Sequence, residues 1–129
     1  MYSVADFVIR IKNASDAHRR EVVMPYSKIT KSIAKLLVKE GYLADVRDTE
    51  IEGRKSITVG IRYVRRKPVV SDVEIISKPS LRLHLNHKEL QTEQRRKTLT
   101  LVVSTSQGLM TAKHALQKGI GGELLFKIG

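Results

Sequence analysis

The sequence predicts an α+β fold made of two small lobes. Apolar residues recur at helical spacing near the N-terminus and again after residue 27, and between and beyond these segments apolar and polar residues alternate. The first pattern is typical of helices with one buried face and the second of half-buried strands. Beyond Lys78 and Pro79 the strand pattern dominates. We therefore expect an N-terminal αβαβββ lobe over residues 1–78 and a C-terminal, mostly β lobe with one short helix over residues 79–129.

The N-terminal lobe is predicted to begin with two helices separated by a strand. The first helix has Ser3 as its N-cap and is indicated by four apolar residues at helical spacing: Val4, Phe7, Val8 and Ile11. A brief strand over Glu21–Pro25 ends at its proline. Ser27 then caps a second helix that runs to Gly41, a residue type that commonly ends helices.

A hairpin and a further strand are predicted to complete this lobe. Alternation over Tyr42–Val46 and Ser56–Tyr63, with a turn at 52–55, predicts two paired strands with one buried face and one face in solvent. A basic turn at 65–68 precedes a strand over Val69–Ser77. In the C-terminal lobe, alternation predicts strands over Leu81–Leu85 and Thr98–Val103, on either side of the polar stretch 86–97.

The end of the chain combines hydroxyls, glycines and a short helix. Ser104, Thr105 and Ser106 are consecutive hydroxyl residues, and Gly108 permits close approach of the backbone to a ligand. Thr111 is expected to cap a helix over Ala112–Lys118, and a last strand is expected over Leu124–Ile128. The hydroxyl run is predicted to form a loop that binds phosphate and ribose, although such runs also form simple turns.

Charge indicates the class of partner. The 129 residues include 24 Lys and Arg against 13 Asp and Glu, a formal net charge of +11. Such an excess attracts polyanions, so nucleic acid is the expected partner, with no membrane and no small-molecule substrate. Hydrophobic residues make up 41% of the chain, enough for a packed core. Cysteine is absent and no long apolar span occurs, which suits a soluble cytosolic protein.

Catalytic and metal-binding patterns are not recognisable. The four histidines, His18, His84, His87 and His114, lack the ligand intervals of a zinc site. No GxSxG elbow surrounds a serine, and the glycines at 119–122 are not followed by the Lys-Ser/Thr pair of a phosphate-binding loop. We expect no enzymatic activity, no metal and no cofactor.

The second helix carries a stripe of basic residues. Lysines at intervals of three and four residues fall on one helix face: Lys28, Lys31, Lys35 and Lys39. Such a stripe suits a phosphate backbone, but it also suits the solvated face of an ordinary helix. The spacing of the lysines leaves both interpretations open.

The order of these motifs resembles the small-subunit ribosomal protein eight family over nearly the whole chain. The matching blocks are Val4–Ala14, Met24–Lys28, Glu40–Tyr42, Ser77–Arg82, Lys88–Leu90 and, most densely, Val102–Glu123, which holds STSxGxMT and GxGGE. The resemblance implies two α/β lobes, primary binding to the central domain of small-subunit rRNA, organisation of the platform, and small-subunit proteins five and twelve as neighbours. It also favours RNA contacts by the first turn of the second helix, at Ser27, Lys28 and Lys31. In the C-terminal lobe it implies RNA contacts at Arg82, His84, Gly121, Gly122 and Glu123.

Several positions depart from that family's usual pattern. Ser80 stands in place of glycine and His84 in place of tyrosine, residues 85–87 are less basic, and residues 95–99 replace a glycine-rich approach to the strand. A histidine still stacks on a base or sugar, with a smaller ring. The alternative function is a basic RNA- or DNA-binding module outside the ribosome.

Overall fold

The computed structural model describes residues 3–96 and 99–129, which form two compact units, Met1–Ser71 and Asp72–Gly129. The predicted lobe boundary follows residue 78, whereas the first compact unit ends at Ser71. The difference arises because Val73–Ile75 pairs with the strand Gly122–Ile128 and therefore belongs to the second unit.

The first unit packs two helices against a three-stranded antiparallel sheet. In chain order its elements are α1 (Ser3–Asp16), β1 (Glu21–Pro25), α2 (Lys28–Lys39), β2 (Leu43–Ile51), β3 (Arg54–Ile61), β4 (Tyr63–Val64) and β5 (Lys67–Pro68). The sheet order is β1-β3-β2, while β4 and β5 form a separate small hairpin. The predicted helices, the first strand and the Ser27 cap are confirmed.

The core of the first unit forms where both helices meet the sheet. Phe7 and Ile11 of α1, Ile33 of α2, and Ile57 and Val59 of β3 are almost completely buried. Burying an aliphatic or aromatic side chain of this size stabilises the folded state by about 1.5–3 kcal/mol, before entropy costs are subtracted. These are the apolar positions whose spacing predicts the elements.

The expectation of a solvent-exposed face along β3 is wrong. Ser56 and Thr58, on the face opposite Ile57 and Val59, are buried as well. β3 is the central strand, and the flanking side chains Glu21 of β1 and Arg47 of β2 are joined by an ion pair. Because their backbones pair with Gly60 and Thr58, this bridge crosses β3 at that end of its polar face, while Ser56 lies between Pro25 and Thr49 of the flanking strands.

The second unit is an antiparallel sheet accompanied by two helices. Its elements are β6 (Val73–Ile75), β7 (His84–Leu85), α3 (His87–Arg95), β8 (Thr100–Thr105), β9 (Gly108–Thr111), α4 (Ala112–Gln117) and β10 (Gly122–Ile128). The sheet order is β6-β10-β8-β9, and β7 also pairs with β10. The core gathers side chains from helices and strands: Leu90, Leu101, Val103, Met110, Ala112, Ala115 and Leu124.

Several predicted elements of the second unit differ from the structure. The polar stretch 86–97, for which the sequence predicts no helix or strand, contains α3, which begins with a capping box between Asn86 and Glu89. The strand predicted over Val69–Ser77 is reduced to β6, and that over Leu81–Leu85 to β7. Two helices therefore replace the single one expected. Thr98, the predicted start of a strand, lies outside the described residues.

Candidate nucleic-acid interface

The N-terminal end of β10 brings most of the predicted RNA-binding residues together. Glu123 pairs with His84 of β7 on one side and with Ser104 of β8 on the other. Gly122 lies opposite Leu85 of β7. Residues that are about 20 positions apart in sequence thus become neighbours on one sheet. The predicted contacts Ser27, Lys28 and Lys31 lie in the first unit and form a separate group.

The hydroxyl run forms the end of a strand and the turn of a β-hairpin, which matches the simple-turn alternative for its backbone. Ser104 and Thr105 end β8, Ser106 and Gln107 form the turn, and Gly108 begins β9. Gly108 has φ = 108°, a backbone conformation that only glycine adopts readily. Residues of high β propensity precede and follow the hydroxyl run. This placement favours a hairpin over an irregular loop.

The three hydroxyls of this hairpin differ in availability. The Thr105 hydroxyl donates to the carbonyl oxygen of Gly108 at 2.8 Å and accepts from the backbone N–H of Gln107 at 3.1 Å. Within residues 3–96 and 99–129, the hydroxyls of Ser104 and Ser106 have no hydrogen-bond partner. Ser106 is exposed and Ser104 is partly exposed. A ligand therefore finds two free hydroxyls here, while the third holds the turn.

The two glycines before Glu123 permit close packing of three backbone segments. A Cβ on Gly121 would collide with the carbonyl oxygen of Leu85, and a Cβ on Gly122 would collide with that of Ser104. Both obstacles are backbone atoms, which cannot move aside as a flexible side chain can. These glycines support the interface by letting β7, β8 and β10 approach one another.

Arg82 and Glu123 form an ion pair beside the hairpin. A guanidinium nitrogen of Arg82 lies 3.4 Å from a carboxylate oxygen of Glu123, whose side chain is only 11% exposed. The other carboxylate oxygen of Glu123 is buried and has no hydrogen-bond partner in the part of the chain that the structure describes. Arg82 and His84 are both exposed. Glu123 thus positions a cation at the protein surface.

Sequence reasoning overlooked Ser77, which holds this arrangement together. Its fully buried hydroxyl donates to the carbonyl oxygen of Leu124 at 2.6 Å and accepts from the N–H of Leu83 at 3.0 Å. The segment that carries Arg82 and His84 is thereby attached to β10. The segment Ser77–Arg82, one of the blocks that carry the family resemblance, could have pointed to Ser77. A serine just before Lys-Pro suits a hydrogen-bonded corner of the backbone.

The first turn of α2 places one free lysine and one paired lysine at the surface. The Ser27 hydroxyl accepts from the backbone N–H of Thr30 at 3.2 Å, which caps the helix. Lys28 is exposed, whereas the Lys31 ammonium lies 2.7 Å from a carboxylate oxygen of Asp48. This hydrogen bond lowers the pKa of Asp48. Thr111 likewise caps α4, as predicted, by accepting from the N–H of His114 at 3.3 Å.

Metal-binding clusters and membrane-spanning helices are absent from the described residues. No group of three or more His, Asp or Glu side chains in the described ranges could hold a metal ion. Among those same residues, no helix is long and apolar enough to cross a membrane. The fold and charge define a small, basic α+β protein of two units with hydroxyl and cationic groups gathered on one sheet.

Comparison with known proteins identifies the family. The family model described as ribosomal protein S8 matches residues 3–128. The small ribosomal subunit protein uS8 of Psychrobacter cryohalolentis is 40% identical over 124 residues, covering 95% of this chain and 93% of the relative. Those of Cupriavidus metallidurans and Methylobacillus flagellatus are 38% and 34% identical over 122 residues, covering 95% of this chain and 92% of each relative.

The chain belongs to the ribosomal protein S8 family. It is therefore a structural, non-enzymatic component of the small ribosomal subunit, an RNA–protein particle that functions in translation in the cytoplasm. The expected class of protein is confirmed.

Proposed function

We propose that the protein is a primary rRNA-binding protein that binds the central domain of small-subunit rRNA and helps organise the platform. The observation that carries this proposal is the convergence on β10 of His84, Ser104 and Arg82, beside the free hydroxyl of Ser106. Uncharged hydroxyls next to a cation and an exposed ring suit RNA, which offers ribose hydroxyls, base edges and phosphates within one shallow minor groove.

In this proposal the residues of the second unit have different roles. Ser104 and Ser106 exchange hydrogen bonds with ribose hydroxyls or base edges, and His84 stacks on a base or sugar. Arg82, held by Glu123, contacts a phosphate. Thr105, Gly108, Gly121 and Gly122 fix the backbone that presents these groups. The C-terminal lobe, residues 79–129, is accordingly the principal RNA-binding part.

The first unit contributes charge in this proposal. Lys28 and Lys31 approach phosphates from the first turn of α2, with Ser27 capping the helix beneath them. Lys31 must exchange part of its contact with Asp48 for a phosphate. Lys28 is therefore expected to be the stronger of the two contacts. The protein neighbours in the subunit are small-subunit proteins five and twelve.

The test is binding of the full chain to a central-domain rRNA fragment at fixed salt. The variants Ser104→Ala and Ser106→Ala should each weaken binding by about 1–3 kcal/mol, roughly five- to a hundredfold, because a desolvated RNA group loses its partner. Ser32→Ala, which removes an exposed hydroxyl on α2, is the matched control. Equal affinity of the wild-type chain for central-domain rRNA and for unrelated RNA or DNA would instead favour a general nucleic-acid-binding module.

A further inference from the structure

A second basic surface lies in the first unit, where the loop between α1 and β1 meets the β4–β5 hairpin. The Tyr63 hydroxyl donates to the carbonyl oxygen of Arg19 at 2.5 Å, and the N–H of Ile61 donates to the carbonyl oxygen of Arg20 at 3.0 Å. The rings of His18 and Tyr63 are stacked, with centroids 6.0 Å apart and planes 18° from parallel. These contacts hold two basic segments together.

Five cations of this surface are exposed and free of acidic partners. They are Arg19, Arg20, Arg65, Arg66 and Lys67, which we call the hairpin cations. None of them forms an ion pair with another described residue. Other cations of this unit differ: Arg10, Lys12, Lys31 and Arg47 are each paired with a carboxylate, whereas those of α2 apart from Lys31 have no ion pair with a described residue. A cluster left unpaired on a chain of net charge +11 is open to an external anion.

The backbone of this surface is held in unfavourable conformations. Arg65 has φ = 53° and Arg66 has φ = 67°, at the two corner positions of the β4–β5 hairpin. Such turns ordinarily use Asn and Gly, since side chains with a Cβ resist this region. His18 has φ = 53° as well. Three of the four described non-glycine residues with positive φ thus lie on this surface, and strain of this kind is concentrated at functional sites.

We propose that the hairpin cations and the His18 ring form a second RNA-binding surface, distinct from the residues gathered on β10. Arg65 and Arg66 bind backbone phosphates, and a base of a single-stranded or bulged segment stacks on His18 beside Tyr63. Paired aromatic rings beside arginines match a nucleic acid, whose phosphates and flat bases alternate along one strand. An anionic membrane would offer charge without a flat ring to stack on. The inference rests on the proposed function, because it takes RNA as the partner. It adds a second binding surface to the one on β10.

The β4–β5 hairpin allows a substitution that removes positive charge without lowering the stability of the fold. The double substitution Arg65→Asn with Arg66→Gly removes two charges and installs the residues that the turn prefers, so the melting temperature should stay the same or rise. Binding of the full chain to central-domain rRNA should weaken several-fold, and the slope of log K against log salt should become shallower by about 1–2. The matched control is Lys39→Gln with Arg54→Gln, which removes two exposed charges elsewhere in the first unit.

A second variant tests the stacked ring. His18→Asn keeps a residue that tolerates positive φ but removes the ring. It should weaken binding to a uridine oligonucleotide and leave binding to inorganic polyphosphate unchanged, because polyphosphate has no base. Equal losses for both probes would overturn the stacking contact.

The outcomes separate this surface from the site on β10. Loss of rRNA affinity in Ser104→Ala and Ser106→Ala with none in the Arg65 and Arg66 variant would leave the proposed function in place and overturn this inference. Loss in the hairpin variant alone would support the inference and count against the role of the serines. An equal loss in the Lys39 and Arg54 control would overturn the inference, because net charge alone would then account for the effect. Weaker binding to phosphatidylserine vesicles with unchanged RNA binding would overturn the inference in favour of a membrane contact.

Discussion

Thr105 and Gly108 are joined across the β8–β9 turn by a hydrogen bond of 2.8 Å from the threonine hydroxyl to the glycine carbonyl oxygen. The same hydroxyl accepts from the N–H of Gln107, so its bonding capacity serves the turn. It lies between two serines whose hydroxyls have no partner in the described chain. Within one run of three hydroxyl residues, structural and ligand-binding roles are therefore separated.

Thr105→Val should destabilise the protein, while Ser106→Ala should not. Valine keeps the β-branched shape but loses both hydrogen bonds, so we expect a loss of about 0.5–1.5 kcal/mol in the free energy of unfolding by urea. Thr105→Ser, which restores the hydroxyl, should recover most of it. Equal stability of the Thr105→Val protein and the wild type would show that the turn does not depend on this side chain.

Ser77→Ala should be among the more damaging single hydroxyl deletions in the second unit. It would leave the buried carbonyl oxygen of Leu124 and the N–H of Leu83 without their present partner. The expected cost is about 1–3 kcal/mol in the free energy of unfolding, measured by urea or thermal denaturation. Ser80→Ala, at an exposed position in the same segment, should change stability by less than about 0.5 kcal/mol. Similar effects of the two substitutions would contradict the role assigned to Ser77.

Gly122→Ala should destabilise the sheet because the added Cβ would meet the carbonyl oxygen of Ser104. Displacing backbone in a packed region costs about 1–3 kcal/mol or more, and here it would also shift β8 relative to β10. Gly119→Asn is the control, since Gly119 has φ = 73° and open space around its Cβ position. A Gly122→Ala protein as stable as the wild type would mean that β8 and β10 adjust without cost.

Lys31→Ala should raise the pKa of Asp48 towards its ordinary value of 3.8, because the hydrogen bond from Lys31 is the largest cause of its lowering. A lowered pKa in the folded state means that the stabilising effect is present above the unfolded-state pKa and lost as the pH falls through the folded-state pKa. Titration of the Asp48 carboxyl by NMR measures the change. Lys28→Ala is the control and should leave that pKa as it is in the wild type. If the two variants titrate alike, the Lys31–Asp48 contact does not form in solution.

Local patterns in the sequence were enough to predict the helices and the first strand of the first unit. Both helices have buried apolar residues at regular spacing, and α2 also has the predicted serine cap, whereas Ser3, the predicted cap of α1, is its first residue. Each of these signals acts over a few residues. The burial of Ser56 and Thr58 was not predictable from β3 alone. It depends on side chains from both flanking strands, such as Glu21 and Arg47, which are far apart in sequence and meet only because β3 lies between their strands.

The candidate site was predicted in its residue types but not in its geometry. Nothing in the spacing of His84, Ser104 and Glu123 indicates that all three lie side by side, because strand register is set by the whole sheet. Helix α3 was missed because its sequence is strongly polar and buries few side chains, of which Leu90 is completely buried. The Asn86 and Glu89 capping box was its best local signal. RNA contact by the predicted residues stays a prediction.

The position of β10 within its sheet determines when each unit can fold during synthesis. All strands of the β1-β3-β2 sheet are present once residue 61 has left the ribosome, so the first unit can fold early. In the second unit β6, β7 and β8 all pair with β10, and residues up to 128 must emerge before that sheet can close. A nascent chain halted just before β10 would therefore carry a folded first unit followed by β6 and β7 without a partner strand and a β8–β9 hairpin with one open edge, a state that chaperones could recognise.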